Sequence, residues 1–187
     1  ILSPCGILGY GFPMSSLERA LGQHPDAIVV DAGSTDAGPH KLGAGAAIVS
    51  RLAAKKDLTA LMEGSRRLGI PLIVGSAGGS RARKHTQWTL DIVKEIAAEM
   101  DWHPRLGVIW ADIPKGDIWE ACRGNCIEKM SVNVPDITQE TLEETNGVVA
   151  QMGAEPIVEA LRMHPDILIC GRAYDPAPFA AVGILAG

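Results

Sequence analysis

The chain has 187 residues, a formal net charge of −5, 47% hydrophobic residues and only 4% aromatic ones, so aliphatic side chains and alanine must build its core. Such a mildly acidic balance argues against a general nucleic-acid binder. No apolar run reaches the roughly 18 residues of a spanning helix, and the start lacks the basic segment of a signal peptide, so a cytoplasmic protein with no membrane contact is expected.

In chain order, residues 1–8 read as a short strand broken by Pro4 and Gly6, running into a glycine-rich turn. Ser15-Ser16-Leu17-Glu18 has the spacing of a capping box, and Leu17, Ala20 and Leu21 continue a helical stripe that Pro25 ends. Ala27–Val30 is apolar without alternation, as in a strand covered on both faces. The stretch from Asp31 to Gly45 reads as a long loop, and Ala46–Leu68 as one helix stopped by Gly69. A strand at Ile70–Val74, a helix at Thr86–Met100 and a strand at Arg105–Trp110 follow. Pro114–Cys122 reads as a short helix, and Ser131–Asp136 as an edge strand or loop. A helix begins at Thr138, Pro156 opens another that runs to Met163, and Ile167–Cys170 is the last strand. The alternation of strands with helical crossovers predicts an α/β fold: a mainly parallel open sheet flanked by helices in a Rossmann-like three-layer arrangement, with residues 1–187 as one domain. The chain starts without Met and ends in the apolar run Val182-Gly-Ile-Leu-Ala-Gly187. It therefore reads as the amino-terminal part of a longer protein or assembly.

One phrase occurs twice. Residues 20–36 (ALGQHPDAIVVDAGSTD) and 160–175 (ALRMHPDILICGRAYD) each give a helix end, His-Pro-Asp, an apolar strand, a small-residue turn and a closing Asp. His24 and His164 precede Pro at helix exits and are expected to cap helix carbonyls. The two turns after the strands fall where open α/β sheets bind ligands, at the carboxyl ends of the strands.

Three turns carry the candidate chemistry. Asp31-Ala-Gly33-Ser34-Thr35-Asp36 offers two carboxylates and two hydroxyls around a sharp turn. Asp31 or Asp36 could serve as a base, and the Asp31/Asp36 loop is the candidate position for a divalent metal ion; the plainer alternative is a self-capped turn. Gly75-Ser76-Ala-Gly78-Gly79-Ser80 lets a ligand approach the backbone. The basic residues after it, His85 among them, and the helix start near Thr86 favour an anionic group; a surface turn is the alternative. Ser76 does not sit as the nucleophile of a Gly-x-Ser-x-Gly elbow does. Gly171-Arg172-Ala-Tyr174-Asp175 brings a guanidinium suited to carboxylate or phosphate beside another carboxylate, although the two could simply pair with each other.

The remaining features are weaker. Asp-x-Gly-Ser-Thr also occurs in sugar-kinase and actin-like phosphate loops, but those turn back as a hairpin, whereas Gly38-Pro39 and a helix follow here. The four cysteines are scattered, and Cys122 and Cys126, spaced i, i+4, match neither a zinc site nor a Cys-x-x-Cys redox pair.

Taken together and in order, five segments resemble the acyclic terpene utilisation (AtuA) family. They are Pro4-Cys-Gly-Ile-Leu-Gly-Tyr-Gly-Phe-Pro13, Asp31–Asp36, Gly75–Gly79, Val149-Ala-Gln-Met-Gly-Ala-Glu-Pro156 and Gly171-Arg-Ala-Tyr-Asp-Pro176. The resemblance implies a soluble catabolic protein working on acyclic terpenes through acyl-CoA intermediates, in some members with a companion domain or subunit. It carries over no catalytic residues.

The expectation is therefore an enzyme acting on a small carboxylate or acyl-CoA thioester, a hydratase or lyase in preference to a hydrolase, and working as a homo-oligomer or with a companion subunit. Asp31, Ser34, Thr35, Asp36 and Asp175 would be catalytic. Gly33, Gly75, Ser76, Gly78, Gly79, Ser80, His85, Arg172 and Tyr174 would bind substrate. The contrasting expectation is a non-catalytic ligand-binding or assembly subunit of a multi-subunit enzyme. Nucleotide binding is disfavoured because no P-loop or Rossmann fingerprint is present.

Overall fold

A computed structural model describes residues 1–33, 38–79 and 82–187, the side chains of 38 and 39 excepted. Among these, four strands lie parallel: β1 (Ile28–Asp31), β2 (Leu72–Gly75), β3 (Leu106–Ile109) and β4 (Ile167–Cys170), in the order β1-β2-β4-β3. Asp31 stands opposite Gly75, Val74 opposite Ile169, and Cys170 opposite Ile109, so the carboxyl ends of all four strands finish level. The helices are α1 (Met14–Leu21), α2 (Gly38–Ala44), α3 (Arg51–Leu68), α4 (Arg83–Glu99), α5 (Lys115–Arg123), α6 (Gln139–Glu144), α7 (Glu155–Leu161) and α8 (Ala177–Ala186).

The unbroken apolar strands follow from two covered faces. Ile28, Val30, Leu72, Val74, Ile167 and Ile169 point to one side, where they meet Leu17 and Leu21 of α1, Leu58, Leu61 and Met62 of α3, and Ile92, Val93 and Ile96 of α4. Val29, Ile73, Leu168 and Cys170 point to the other, against Ile157, Val158 and Leu161 of α7 and Ala177 and Ala181 of α8. The result is the three-layer α/β arrangement expected from the alternation of elements. No helix among the described residues is long and apolar enough to cross a membrane.

Several local expectations are corrected. Part of the Asp31–Gly45 loop is the helix α2, ended by Gly45 at φ +63. The single helix expected from Ala46 starts only at Arg51, where the Ser50 hydroxyl accepts from the Ala53 amide at 3.2 Å. The capping box at Ser15–Glu18 does not form. Pro13 precedes α1 with no side-chain cap, and Glu18 instead pairs with Arg67 at 2.8 Å. Residues 1–8 contribute one bridge, Leu2 to Ile28, because Pro4 and Gly6 interrupt further pairing. Helix α4 begins at Arg83 rather than Thr86 because the Asp112 carboxylate, from beyond β3, accepts from the Arg83 amide at 2.9 Å. Of the two alternatives for Ser131–Asp136, edge strand or loop, the segment is loop, and the apolar run at the end belongs to a helix, α8.

The repeated His-Pro-Asp proves to be scaffolding. His24 and His164 adopt φ +53 and +52, and their backbone amides, rather than their imidazoles, bond the Leu21 and Leu161 carbonyls at 3.1 and 2.9 Å. Each therefore reverses the chain out of a helix before Pro directs it into a strand. Asp166 then accepts from the Arg105 amide at 2.6 Å, which joins the entries of β3 and β4.

Candidate active site

Asp31 ends β1 directly opposite Gly75 of β2. A Cβ on Gly75 would lie 2.9 Å from Pro178 Cγ and 3.6 Å from Asp31 Oδ1, so the glycine leaves room for both the α8 start and the carboxylate. Asp31 Oδ1 is buried and has no hydrogen-bond partner. Burial raises the Asp31 pKa from 3.8 to about 7, and the negative charge of Asp175 adds to the rise; the Gly33 amide, the Ser76 side chain and the Ala32 amide pull the other way. Near neutral pH this carboxyl can both hold and release a proton, as acid–base catalysis requires.

Ser76 follows Gly75 with φ +49 and is fully buried. Its hydroxyl donates to the Ala173 carbonyl at 3.2 Å and accepts from the Ala173 amide at 3.4 Å, while the Ala77 amide donates to the Cys170 carbonyl at 2.9 Å. These bonds tie the turn after β2 to the turn after β4. A left-handed non-glycine residue costs on the order of 1 kcal/mol, and here it aims the hydroxyl across the gap between strands.

The β4 turn delivers the complementary charge. Residues 152–174 pair locally: the Met152 amide donates to the Arg172 carbonyl at 3.1 Å and the Tyr174 amide to the Met152 carbonyl at 2.9 Å. This pairing sets Gln151 beside the guanidinium, and Arg172 Nη2 donates to Gln151 Oε1 at 2.5 Å. The Arg172 side chain is only 12% exposed; its Nη1 makes no hydrogen bond and lies 3.9 Å from Asp175 Oδ1. A guanidinium with one edge held and the other buried without a bonded acceptor is prepared for a carboxylate or a carbonyl oxygen. Gln151 was not among the expected site residues. Its signal was slight: one amide side chain in the otherwise small and apolar stretch Val148–Ala154.

A second cluster lies around the start of α4. Gly78 has φ +72, and a Cβ there would lie 2.5 Å from the His85 carbonyl oxygen and 2.7 Å from its Cβ, so the turn packs tightly against the His85 backbone, while Gly79 packs against Ile48. His85 is 3% exposed; its pKa is lowered, by burial first and Lys84 next, against the opposing effects of Asp112 and the Ala46 backbone. Both ring nitrogens, Thr86 Oγ1 and Asp112 Oδ2 are buried without a hydrogen bond of standard geometry. His85 and Asp112 border a cleft of about 330 Å³ lined also by Leu42–Gly45, Lys84 and Asn146.

The structure thus brings Asp31, Gly33, Gly75, Ser76, Arg172 and Asp175 together, with Tyr174 exposed at the rim. Gly78, Gly79 and His85 stand in the neighbouring cluster. Ser34, Thr35, Asp36 and Ser80 lie outside the described residues, and with Asp36 goes half of the candidate metal position. Among the described residues no group of three or more His, Cys, Asp or Glu side chains could hold a metal ion. A larger cleft, about 570 Å³, opens at the opposite edge of the sheet beside Asp26, Pro71, Arg105 and Pro165. It gathers strand-entry residues and none of the orphaned polar atoms.

These features define an α/β protein with a buried carboxyl and a mostly buried guanidinium on separate turns at the carboxyl edge of a parallel sheet. The family model described as acyclic terpene utilisation family protein AtuA matches residues 52–186, and the chain belongs to that family. The match takes in the Gly75, Gln151 and Arg172 segments; the Asp31 turn precedes it. No curated protein and no solved structure matches the chain.

Proposed function

We propose that this chain is an enzyme of acyclic terpene catabolism that adds water to, or eliminates it from, a small carboxylate or acyl thioester. The observation that carries the reading is that two buried atoms without a hydrogen bond stand at the same edge of the sheet: Asp31 Oδ1 at the end of β1 and Arg172 Nη1 after β4, with β2 between the two strands. Buried polar atoms without a hydrogen bond are rare in folded proteins, and here both lie at the edge where such sheets take ligands.

In the elimination direction, ionised Asp31 removes a proton from the carbon next to the substrate carbonyl. The electron pair forms the new double bond, and the hydroxyl on the adjacent carbon leaves as water with a proton from solvent. Arg172 hydrogen-bonds the carbonyl or carboxylate oxygen as negative charge builds there, a role to which a preorganised, poorly solvated donor is suited. Burial, with the charge of Asp175 adding to it, keeps the Asp31 pKa high enough for the proton to return in the reverse direction. The neighbouring cleft at Lys84, His85 and Asn146 has room for the remainder of the substrate.

The test is turnover of a panel of unsaturated and 3-hydroxy acids and their CoA thioesters, with Asp31→Asn alongside the wild type. Hydration or dehydration with an ascending limb near pH 7, abolished in Asp31→Asn, supports the reading. Saturable binding with no turnover of any member, companion subunits included, favours a ligand-binding or assembly subunit instead.

A further inference from the structure

Asp57, in α3, is only 3% exposed, and a carboxylate tolerates such burial only when it is hydrogen-bonded. Its partners come from the glycine-rich turn near the start of the chain. Oδ2 accepts from the Gly9 amide at 2.8 Å and from the Gly11 amide at 3.0 Å. Two amides two residues apart converge on one oxygen because Gly9 and Gly11 take φ +97 and +81. The turn is packed from another side as well: a Cβ on Gly9 would lie 2.6 Å from Val49 Cγ2, in the link between α2 and α3.

The held turn starts at Asp31. The first residues of the chain run along the outer side of β1. The Leu2 amide donates to the Ala27 carbonyl at 2.8 Å and the Val29 amide to the Leu2 carbonyl at 2.9 Å. Past Pro4 and Gly6, the Leu8 amide donates to the Asp31 carbonyl at 2.8 Å. On the inner side the Ala32 amide donates to the Gly75 carbonyl at 2.8 Å, so the end of β1 is fixed by β2 on one side and by Leu8 on the other. Leu8 is buried and directly precedes the anchored Gly9. The Cys5 thiol registers the same neighbourhood: burial first, then the charges of Asp57 and Asp31, push it up to about 11.

We propose that Asp57 is a positioning residue for Asp31, which, resting on the reading of Asp31 as the acid–base group, it serves by holding the Leu8 amide against the Asp31 carbonyl through the Gly9–Gly11 turn. Asp57 itself touches no reacting atom. β1 is the first strand of the sheet and has β2 on one side only, so Leu8 is what closes its outer side at Asp31. Release of the turn would admit water there, and burial, the main cause of the high Asp31 pKa, would diminish. Asp175 and Cys5, the other titratable groups coupled to Asp31, stay in place in such a change.

The experiment compares Asp57→Ala and Asp57→Asn with the wild-type chain. Met62→Ala, at another fully buried position of α3, controls for lost packing. Amide exchange at Leu8, Gly9 and Gly11 reads the clamp, and carboxyl ¹³C NMR reads Asp31. Asn keeps an acceptor oxygen for the two amides, so it should restore most of what Ala loses. In Asp57→Ala the three amides should exchange faster, and the Asp31 midpoint should fall from about 7 towards its ordinary 3.8. Its kcat should drop about tenfold or more with KM within about twofold, as a small misplacement of a reacting group produces. Met62→Ala should lower the melting temperature and leave the Asp31 midpoint in place. If Asp57→Ala does not fold, Asp57→Ser replaces it, its hydroxyl being too short to reach both amides. An unmoved Asp31 midpoint in the folded Ala or Ser variant overturns the proposal, as does an equal displacement in Met62→Ala. The exchange and NMR measurements need no substrate, so a chain that turns over no acid or thioester refutes the hydration reading while these still decide the role of Asp57.

Discussion

The two edges of the same four-stranded sheet differ sharply. At the amino edge, where His-Pro-Asp leads chains into β1 and β4, the polar groups find partners: the His24 and His164 amides bond helix carbonyls, and Asp166 bonds the Arg105 amide. At the carboxyl edge, Asp31, His85, Thr86, Asp112 and Arg172 all keep buried atoms without hydrogen bonds of standard geometry. The amino edge nevertheless holds the larger cleft. The proposed site therefore follows not the larger cleft but the unsatisfied polar groups, which cost about 1–3 kcal/mol each unless something binds them.

The contrast can be broken by substitution. The largest expected effect is at Asp31: Asp31→Asn should lower turnover by about 10²–10⁴-fold, the usual worth of a positioned acid–base group. The same change should raise stability. A carboxyl whose folded pKa lies at about 7, against an ordinary value of 3.8, binds its proton more tightly folded than unfolded, so stability is greatest below about pH 4 and falls as pH climbs towards 7. Removing that charge should gain about 2 kcal/mol at pH 8 after allowance for partial solvation, and should flatten the pH dependence of urea unfolding between pH 4 and 7.

Next comes Arg172→Met, expected to raise KM for a carboxylate or thioester by about 10–100-fold, which steady-state kinetics would show, since it removes a charge-assisted hydrogen bond of about 1.5–3 kcal/mol. Gln151→Leu should reproduce part of that loss, and Gln151→Glu should restore it, because Gln151 acts only by holding Nη2. Gly78→Ala should destabilise by about 1–3 kcal/mol in thermal unfolding, from positive φ and the clash with His85 together. The smallest effect belongs to the amino edge: Asp166→Asn, in an exposed pairing, should cost no more than about 1 kcal/mol and leave kinetics unchanged.

How much of this was legible in the chain divides along similar lines. The four strands and the layer arrangement could be read because Ile28–Val30, Leu72–Val74 and Ile167–Cys170 are unbroken apolar runs, a pattern that only a sheet covered on both faces explains. The turns after β1, β2 and β4 could be located for the same reason. Helix α2 was hidden because its glycines read as breakers, and the α4 start was hidden because its cap, Asp112, comes from 29 residues away. Gln151 was missed for a similar cause: its importance lies in the local pairing of Met152 with Ala173, which no local pattern announces. Ser131–Asp136 reads as an edge strand or loop, and it is loop.

The account rests most directly on the state of Asp31, and carboxyl ¹³C NMR over a pH titration reads it. The burial of Asp31 beside Asp175 predicts a midpoint near 7, displaced downwards in Asp175→Asn. A midpoint near 4 that Asp175→Asn leaves in place would show an ordinary solvated carboxylate and contradict the assignment of this edge as the site of proton transfer.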